Sequence, residues 1–204
     1  MSFNRFLEKS ITASQRCQRN WDLDKQIPEE DIKTMKISVT ECSSKQNRVF
    51  YKAIFIQDRE KIEAIHEATD GFVYDLKTGA STTNPQTLAN VLVAFVEDRD
   101  PSEGVRTTEE YKGGRIKGEY KHDSHIALGI GSAYLTLTAN LLGYKTGCCQ
   151  CFDAKKVGKI LGDEKPMLLM GVGFPGKNKS RLEHHKDPNF RFPSFNKHVI
   201  VEDL

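Results

Sequence analysis

The chain has 204 residues, with 30 lysines and arginines against 28 acidic residues and a formal net charge of +2. Its 38% hydrophobic and 28% charged residues are typical of one globular domain, here residues 1–204. The small net charge excludes a general attraction to nucleic acid or to an anionic membrane. The first residues lack the apolar segment of a signal peptide, and an odd number of cysteines, five, favours a reducing compartment such as the cytoplasm.

The first half of the chain combines helical and strand patterns. Helices are predicted over 2–13, from Pro28 onwards and over 58–69. The second of these is favoured by proline in the first turn and by the three acidic residues that follow it. Strands are predicted over 48–57, which is rich in aromatic and β-branched residues, and over 91–96, a continuous apolar run. The section 70–85 between them has the weak pattern of a loop.

The longest element is predicted from Ile126 to Tyr144, where no side chain is charged and apolar residues cover every face of a helix. Such a helix is normally buried on all sides, and Gly143 supplies the left-handed residue that ends it. Its length approaches the roughly 20 residues of a membrane span, but its glycines, threonines and lack of basic flanks favour a core helix. Asp123 or Ser124 is expected to cap its N-terminus.

The charged, glycine-containing section 98–122 precedes this helix. Segments of this length without regular structure are usually functional or disordered, so we expect either a mobile lid beside a site or a plain disordered loop.

The remaining chain predicts a helix over 154–161, capped by Asp153, and strands over 167–174 and 198–201. Because helices and strands alternate without regular βαβ units, the expected fold class is α+β.

Two basic clusters are candidates for holding a phosphate, which forked guanidinium groups and hydroxyl donors bind well. Arg16 and Arg19 lie near the start of the chain, and Lys179, Ser180 and Arg181 lie near its end. They form one site only if the two ends of the chain meet. Ordinary solvated surface charge is the alternative.

The run CCQC, Cys148–Cys151, raises the possibility of a zinc or thiol site with His184 and His185. Structural zinc normally uses two pairs of cysteines with two to four residues inside each pair, whereas Cys149 and Cys151 have one residue between them and the sequence offers no second pair. Small buried thiols are the favoured interpretation, and no metal site is predicted.

The order of these motifs resembles the nitroreductase family of flavin mononucleotide (FMN) enzymes over about residues 14–185. The family-like pieces are QRCQR before a PEED helix start, SSKQN before a strand, LLGYKTG followed by CCQCFD, and GVGFP leading into KNKSR. The resemblance implies a mixed, largely antiparallel sheet flanked by helices, with a long central helix. It also implies a homodimer that uses FMN to pass electrons from NADH or NADPH to a nitroaromatic, quinone or similar small acceptor.

The resemblance further implies which residues contact FMN, while the flavin itself carries the chemistry and no catalytic side chain is expected. Arg16, Cys17 and Arg19 stand where the family's first loop meets the phosphate, and Lys179 and Arg181 match its phosphate-holding pair. The residues expected to line the ring or ribityl chain are Ser43, Ser44, Lys45 and Asn47 from the other subunit, and Asn84, Gln86, Gln150 and Cys151. Alternatives are an FMN-binding protein of this fold without reductase activity, and the thiol or zinc site at CCQC.

Overall fold

A computed structural model describes residues 2–47, 50–75, 77–82, 84–98, 119–176 and 199–203. The helices are α1 (Phe3–Ser14), α2 (Glu29–Thr40), α3 (Arg59–Glu67), α4 (Glu119–Leu141) and α5 (Ala154–Ile160). The strands are β1 (Tyr51–Ile56), β2 (Phe72–Asp75), β3 (Ala80–Thr82), β4 (Val91–Glu97), β5 (Lys145–Cys149) and β6 (Pro166–Gly173). Short 3₁₀ turns cover Lys45–Asn47 and Pro85–Thr87.

The main sheet has four strands in the order β1-β4-β6-β5, and each neighbouring pair is antiparallel. β4 lies in the middle of the sheet, which explains why its sequence is apolar at successive positions. Val91, Val93 and Phe95 face a core built with α2 and α4, whereas Leu92 and Ala94 face a second core built with α3 and α5. The α+β prediction is therefore confirmed, with helices covering both faces of the sheet.

Most predicted elements are confirmed to within a few residues. The cap of α5 is also as predicted, because Asp153 Oδ1 accepts hydrogen bonds from the backbone N–H groups of Lys155 (3.0 Å) and Lys156 (3.1 Å). Gly143 has φ +93°, the left-handed conformation expected where α4 ends.

Three segments differ from the sequence prediction. Residues 70–85, predicted as a loop, contain the small hairpin β2–β3, and Lys145–Cys149, for which no element was predicted, form strand β5. Val199–Val201 form no strand and are exposed. These segments are short and lack a clear alternation of apolar and polar residues, which is the signal that marks a half-buried strand.

The central helix differs from its prediction at both its start and its surface. α4 begins at Glu119, so Asp123 and Ser124 are inside the helix and do not cap it. Its first residues, 119–122, were expected to belong to the section 98–122, of which 99–118 lie outside the described residues. α4 is also not buried on all sides, since Ile126, Tyr134 and Leu137 are 47%, 45% and 37% exposed.

No helix in the described ranges combines the length and apolarity required to cross a bilayer.

Candidate functional site

The loop after α1 runs along the open edge of the sheet and meets the end of β6. The backbone N–H of Gln18 donates to the carbonyl of Thr146 in β5 at 2.8 Å. Farther along, the N–H of Asp22 donates to the carbonyl of Phe174 at 3.0 Å, and Gly176 N–H donates to Asn20 at 3.3 Å. The N-terminal loop is therefore held against the segment that follows β6 and precedes Lys179 and Arg181 in the sequence.

Asn90 connects the N-terminal loop to the end of β6 through its side-chain amide. Its Nδ2 donates to the carbonyls of Asp22 and Lys25, each at 2.8 Å, and its Oδ1 accepts the N–H of Phe174 at 3.0 Å. A Cβ on Gly173 would lie 2.0 Å from this Oδ1, so only glycine leaves room for the amide. One side chain at the start of β4 thus fixes the N-terminal loop and the end of β6 together.

Two other glycines let the 3₁₀ turn Pro85–Thr87 pack directly on the sheet. A Cβ on Gly147 would lie 2.4 Å from the Gln18 carbonyl and 2.6 Å from Gln86 Cβ. A Cβ on Gly171 would lie 2.0 Å from the Gln86 carbonyl. Because contacts this short are not tolerated between atoms, both positions require glycine for the turn to pack in this place.

Asn84 and Gln86 form a buried polar pair beside the end of β5. Gln86 Nε2 donates to Asn84 Oδ1 at 3.1 Å, and Asn84 Nδ2 donates to the carbonyl of Cys151 at 3.2 Å. Gln86 is 7% exposed, and its Oε1 is buried with no hydrogen-bond partner among the described residues. A buried acceptor without a partner costs free energy, which a ligand donor would recover.

The turn at Gln150 and Cys151 follows β5 and is exposed. The carbonyl of Cys151 also accepts the backbone N–H of Asp70 at 2.8 Å, so the turn is anchored from the side of α3. The exposed face of this turn is open to a ligand, while its carbonyl is occupied by the protein.

Solved structures from several bacteria share this architecture. A nitroreductase family protein from Streptococcus pneumoniae superposes with a TM-score of 0.65 at 19% identity, covering 92% of this chain and 96% of that one. A protein from Exiguobacterium sibiricum, solved in complex with FMN, gives a TM-score of 0.65 at 17% identity over 95% and 94% of the two chains. Nitroreductase A from Vibrio parahaemolyticus gives 0.65 at 17% identity over 94% and 78%. The chain has the nitroreductase fold.

The sequence itself is distant from known families. No protein-family model matches it, and no curated protein matches it either. The nitroreductase fold is therefore shown by structure alone.

Within this nitroreductase fold, one group of predicted site residues lies around β5, on the loop at its open edge, on the 3₁₀ turn packed on the sheet and on the turn that follows the strand. Cys17 Sγ is 3.9 Å from the carbonyl of Cys148, and Arg19 Nη1 donates to the carbonyl of Cys17 at 3.2 Å. The members of this group are Arg16, Cys17, Arg19, Asn84, Gln86, Gln150 and Cys151. Lys179 and Arg181 lie outside the described residues, as do Ser180, His184 and His185.

A second group, Ser43–Asn47, is joined to α4. Lys45 Nζ donates to both carboxylate oxygens of Asp123, at 3.1 and 2.9 Å, and Asp123 is only 7% exposed. The ammonium expected to face a flavin is thus engaged by a buried carboxylate that sequence reasoning assigned to capping. Ser44 Oγ is buried without a partner, and Asn47 has φ +55°.

The cysteines show no metal centre in the described part of the chain. All five are free thiols, and no three histidine, cysteine or acidic residues among the described residues are grouped to bind a metal ion. Burial is the main cause that raises the pKa of Cys149 to about 11, so this thiol is neutral at physiological pH.

Sequence reasoning missed three residues that define this region. Asn90 joins the N-terminal loop to the end of β6, Asp123 holds Lys45, and Lys145 begins β5 beside the N-terminal loop. Of the three, Lys145 could have been identified from the sequence, since it is a lone cation in LLGYKTG directly after the long apolar helix. The contacts of Asn90 and Asp123 depend on tertiary packing and left no sequence pattern.

Proposed function

We propose that this protein is an FMN-dependent oxidoreductase that takes electrons from NADH or NADPH and passes them to a nitroaromatic, quinone or similar small acceptor. The observation that carries the proposal is the nitroreductase fold over nearly the whole chain. It is supported by the position of one group of predicted contacts, those of the N-terminal loop, the 3₁₀ turn and the turn after β5, around that strand. One structure of this fold contains FMN, and another, from Staphylococcus epidermidis, is itself a proposed NAD(P)H:FMN oxidoreductase.

The phosphate of FMN would be bound where the two chain ends meet. Arg16 and Arg19 lie on the loop that contacts β5 and the end of β6. Lys179 and Arg181 follow Gly176 by three and five residues in the sequence. Guanidinium groups match the geometry of phosphate oxygens, so this placement suits a dianion.

The ring system would lie beside the turn at Gln150 and Cys151, with Asn84 and Gln86 behind it. The Oε1 atom of Gln86 is a buried acceptor without a partner in the described part of the chain, which fits a ligand that carries hydrogen-bond donors on its edge. FMN has such an edge, and the residues present fit the cofactor.

When bound, FMN supplies the chemistry of accepting a hydride and releasing electrons. The chain would contribute binding and orientation. Its cations neutralise the phosphate, and its polar atoms fix the ring edge. This division of roles needs no side-chain nucleophile, which is consistent with the neutral thiol of Cys149.

The active form would be a homodimer that packs through α4. Ile126, Tyr134 and Leu137 leave an apolar stripe along the exposed side of this helix, hereafter the α4 stripe. Unpartnered apolar stripes of this kind mark interaction surfaces. In a dimer, Ser43–Asn47 beside α4 would reach the partner's flavin site, and the unpartnered Ser44 Oγ would gain a ligand.

A charged substitution tests the dimer. Leu137→Glu should shift the protein from dimer to monomer in sedimentation, because a buried charge in an apolar interface costs several kcal/mol. Leu23→Glu, at another exposed leucine that lies on the loop after α1, is the control. A dimer unaffected by Leu137→Glu, or an equal effect of Leu23→Glu, would exclude the α4 stripe as the interface.

Anaerobic addition of NADH or NADPH to the FMN-loaded protein tests the activity. The flavin absorbance should bleach and return when a quinone is added. Bound FMN that neither nicotinamide can reduce would favour the alternative, an FMN-binding protein without reductase activity. The five free thiols fit a reducing compartment such as the cytoplasm, which we propose as its location.

A further inference from the structure

Lys145 is placed beside the loop that carries Arg16, although the two are far apart in the sequence. The hydrogen bond from Gln18 N–H to the Thr146 carbonyl, 2.8 Å, fixes the loop next to the first residues of β5. Lys145 begins this strand and is half-buried, whereas Arg16 is exposed. The partly buried cation Lys145 is therefore close to the solvent-exposed loop that carries Arg16.

The ammonium of Lys145 is aimed by a buried amide. Its Nζ donates to Asn140 Oδ1 at 3.1 Å, and Asn140 Nδ2 donates to the carbonyl of Thr136 in α4 at 2.9 Å. Asn140 is 6% exposed, so this support is buried. Among the described residues the ammonium uses one of its three hydrogen-bond donors, which leaves two for a ligand.

Two positive charges lie close together at this place, and no carboxylate of the described residues pairs with either of them. Burial and then the positive charge of Arg16 lower the pKa of Lys145. In the described ranges, neither cation is paired with an acidic side chain, although other lysines here are, such as Lys45 with Asp123. Two cations held close together at partial burial raise the free energy of the protein unless an anion binds between them.

We propose that Lys145 and Arg16 together form a binding site for a phosphate group. Under the proposed function, on which this assignment of the ligand rests, the phosphate is that of FMN. Lys145 is then a further phosphate-binding residue, which no motif in the sequence identified. Arg16 supplies a planar guanidinium from the solvent side, and Lys145 supplies a compact charge from the protein side.

The test compares ligands with and without the phosphate. Lys145→Met keeps the aliphatic stem and removes the charge, Lys145→Arg keeps the charge, and Lys33→Met on the exposed side of α2 is the matched control. Dissociation constants for FMN and for riboflavin, which lacks the phosphate, are measured by titration. Inorganic phosphate is titrated at constant ionic strength, with the unfolding temperature as the readout.

We expect Lys145→Met to weaken FMN binding by about tenfold to a hundredfold, as one charge-assisted hydrogen bond would. Riboflavin affinity should change less than twofold, the stabilisation by phosphate should be reduced, Lys145→Arg should restore most of both, and Lys33→Met should match the native protein. An unchanged ratio of FMN to riboflavin affinity in Lys145→Met, or the same loss in Lys33→Met, would overturn the proposal.

The outcomes separate this proposal from the proposed function. Stabilisation by phosphate that depends on Lys145, without any FMN binding, supports the anion site and refutes the flavin function. FMN binding that does not depend on Lys145 supports the function and refutes this site. Neither FMN binding nor stabilisation by phosphate refutes both.

Discussion

Asn90 offers the sharpest test of how the N-terminal loop is held to the end of β6. Asn90→Ala removes two donors and one acceptor, which leaves the carbonyls of Asp22 and Lys25 and the N–H of Phe174 without that partner. At about 1 kcal/mol for each hydrogen bond, the free energy of unfolding should fall by roughly 3 kcal/mol. For a chain of this length, that corresponds to a drop of about 6–12 °C in the unfolding temperature.

Urea unfolding followed by circular dichroism measures this loss. Asn4→Ala, at an exposed position in α1, is the control and should change the free energy by less than about 0.5 kcal/mol. Asn90→Asp should lose at least as much, because its second carboxylate oxygen would face the carbonyl oxygens of Asp22 and Lys25 where the amide donates to both. A loss below about 0.5 kcal/mol in Asn90→Ala would refute the role of this amide in joining the N-terminal loop to the end of β6.

Three more predictions concern the same region. Gly147→Ala should destabilise the fold by about 1–3 kcal/mol in urea unfolding, since its Cβ would lie 2.4 Å from the Gln18 carbonyl; native stability would contradict the packing. The raised pKa of Cys149 means that the folded state keeps its proton after the unfolded state, with a pKa near 8.5, has lost it. Stability should therefore fall from about pH 8.5 upwards, and Cys149→Ala should flatten this decline in pH-dependent unfolding, whereas parallel curves would refute it. Lys179→Ala combined with Arg181→Ala should weaken FMN binding at least tenfold by titration if both hold the phosphate, and unchanged affinity would exclude them.

Local signals in the sequence were enough to predict most helices and central strands. Helix α2 begins directly after Pro28 with acidic residues in its first turn, Asp153 caps α5, and Gly143 takes the left-handed conformation after α4, each as the sequence predicted. Each of these signals acts over only a few residues. The apolar run from Val91 was read as a strand covered on both faces, and β4 is such a strand. These features are predictable because their physical cause is local.

Features that depend on packing were not predictable in the same way. The exposed side of α4 carries apolar residues like those of a core, so its composition alone predicted a burial that the structure does not show. β5 has two cysteines and a glycine in place of an apolar alternation, and its glycine is explained only by the turn that packs on it. Asp123 looked like a cap, but its partner Lys45 comes from a distant segment.

The candidate site was predicted on the condition that both ends of the chain meet. The contacts of Asn20 with Gly176 and of Gln18 with Thr146 hold the loop that carries Arg16 and Arg19 against β5 and the segment after β6, while Lys179 and Arg181 lie outside the described residues. Lys145 was overlooked because its neighbour Arg16 is close only in the folded chain. Sequence spacing can identify cations as candidates for a phosphate site, but which of them lie close together is determined by the fold.

The absorption spectrum of the purified protein tests the central claim most directly. The account predicts a yellow protein with flavin bands and one FMN per chain, either as isolated or after addition of FMN. A colourless protein that takes up no FMN, and whose unfolding temperature FMN does not raise, would contradict it.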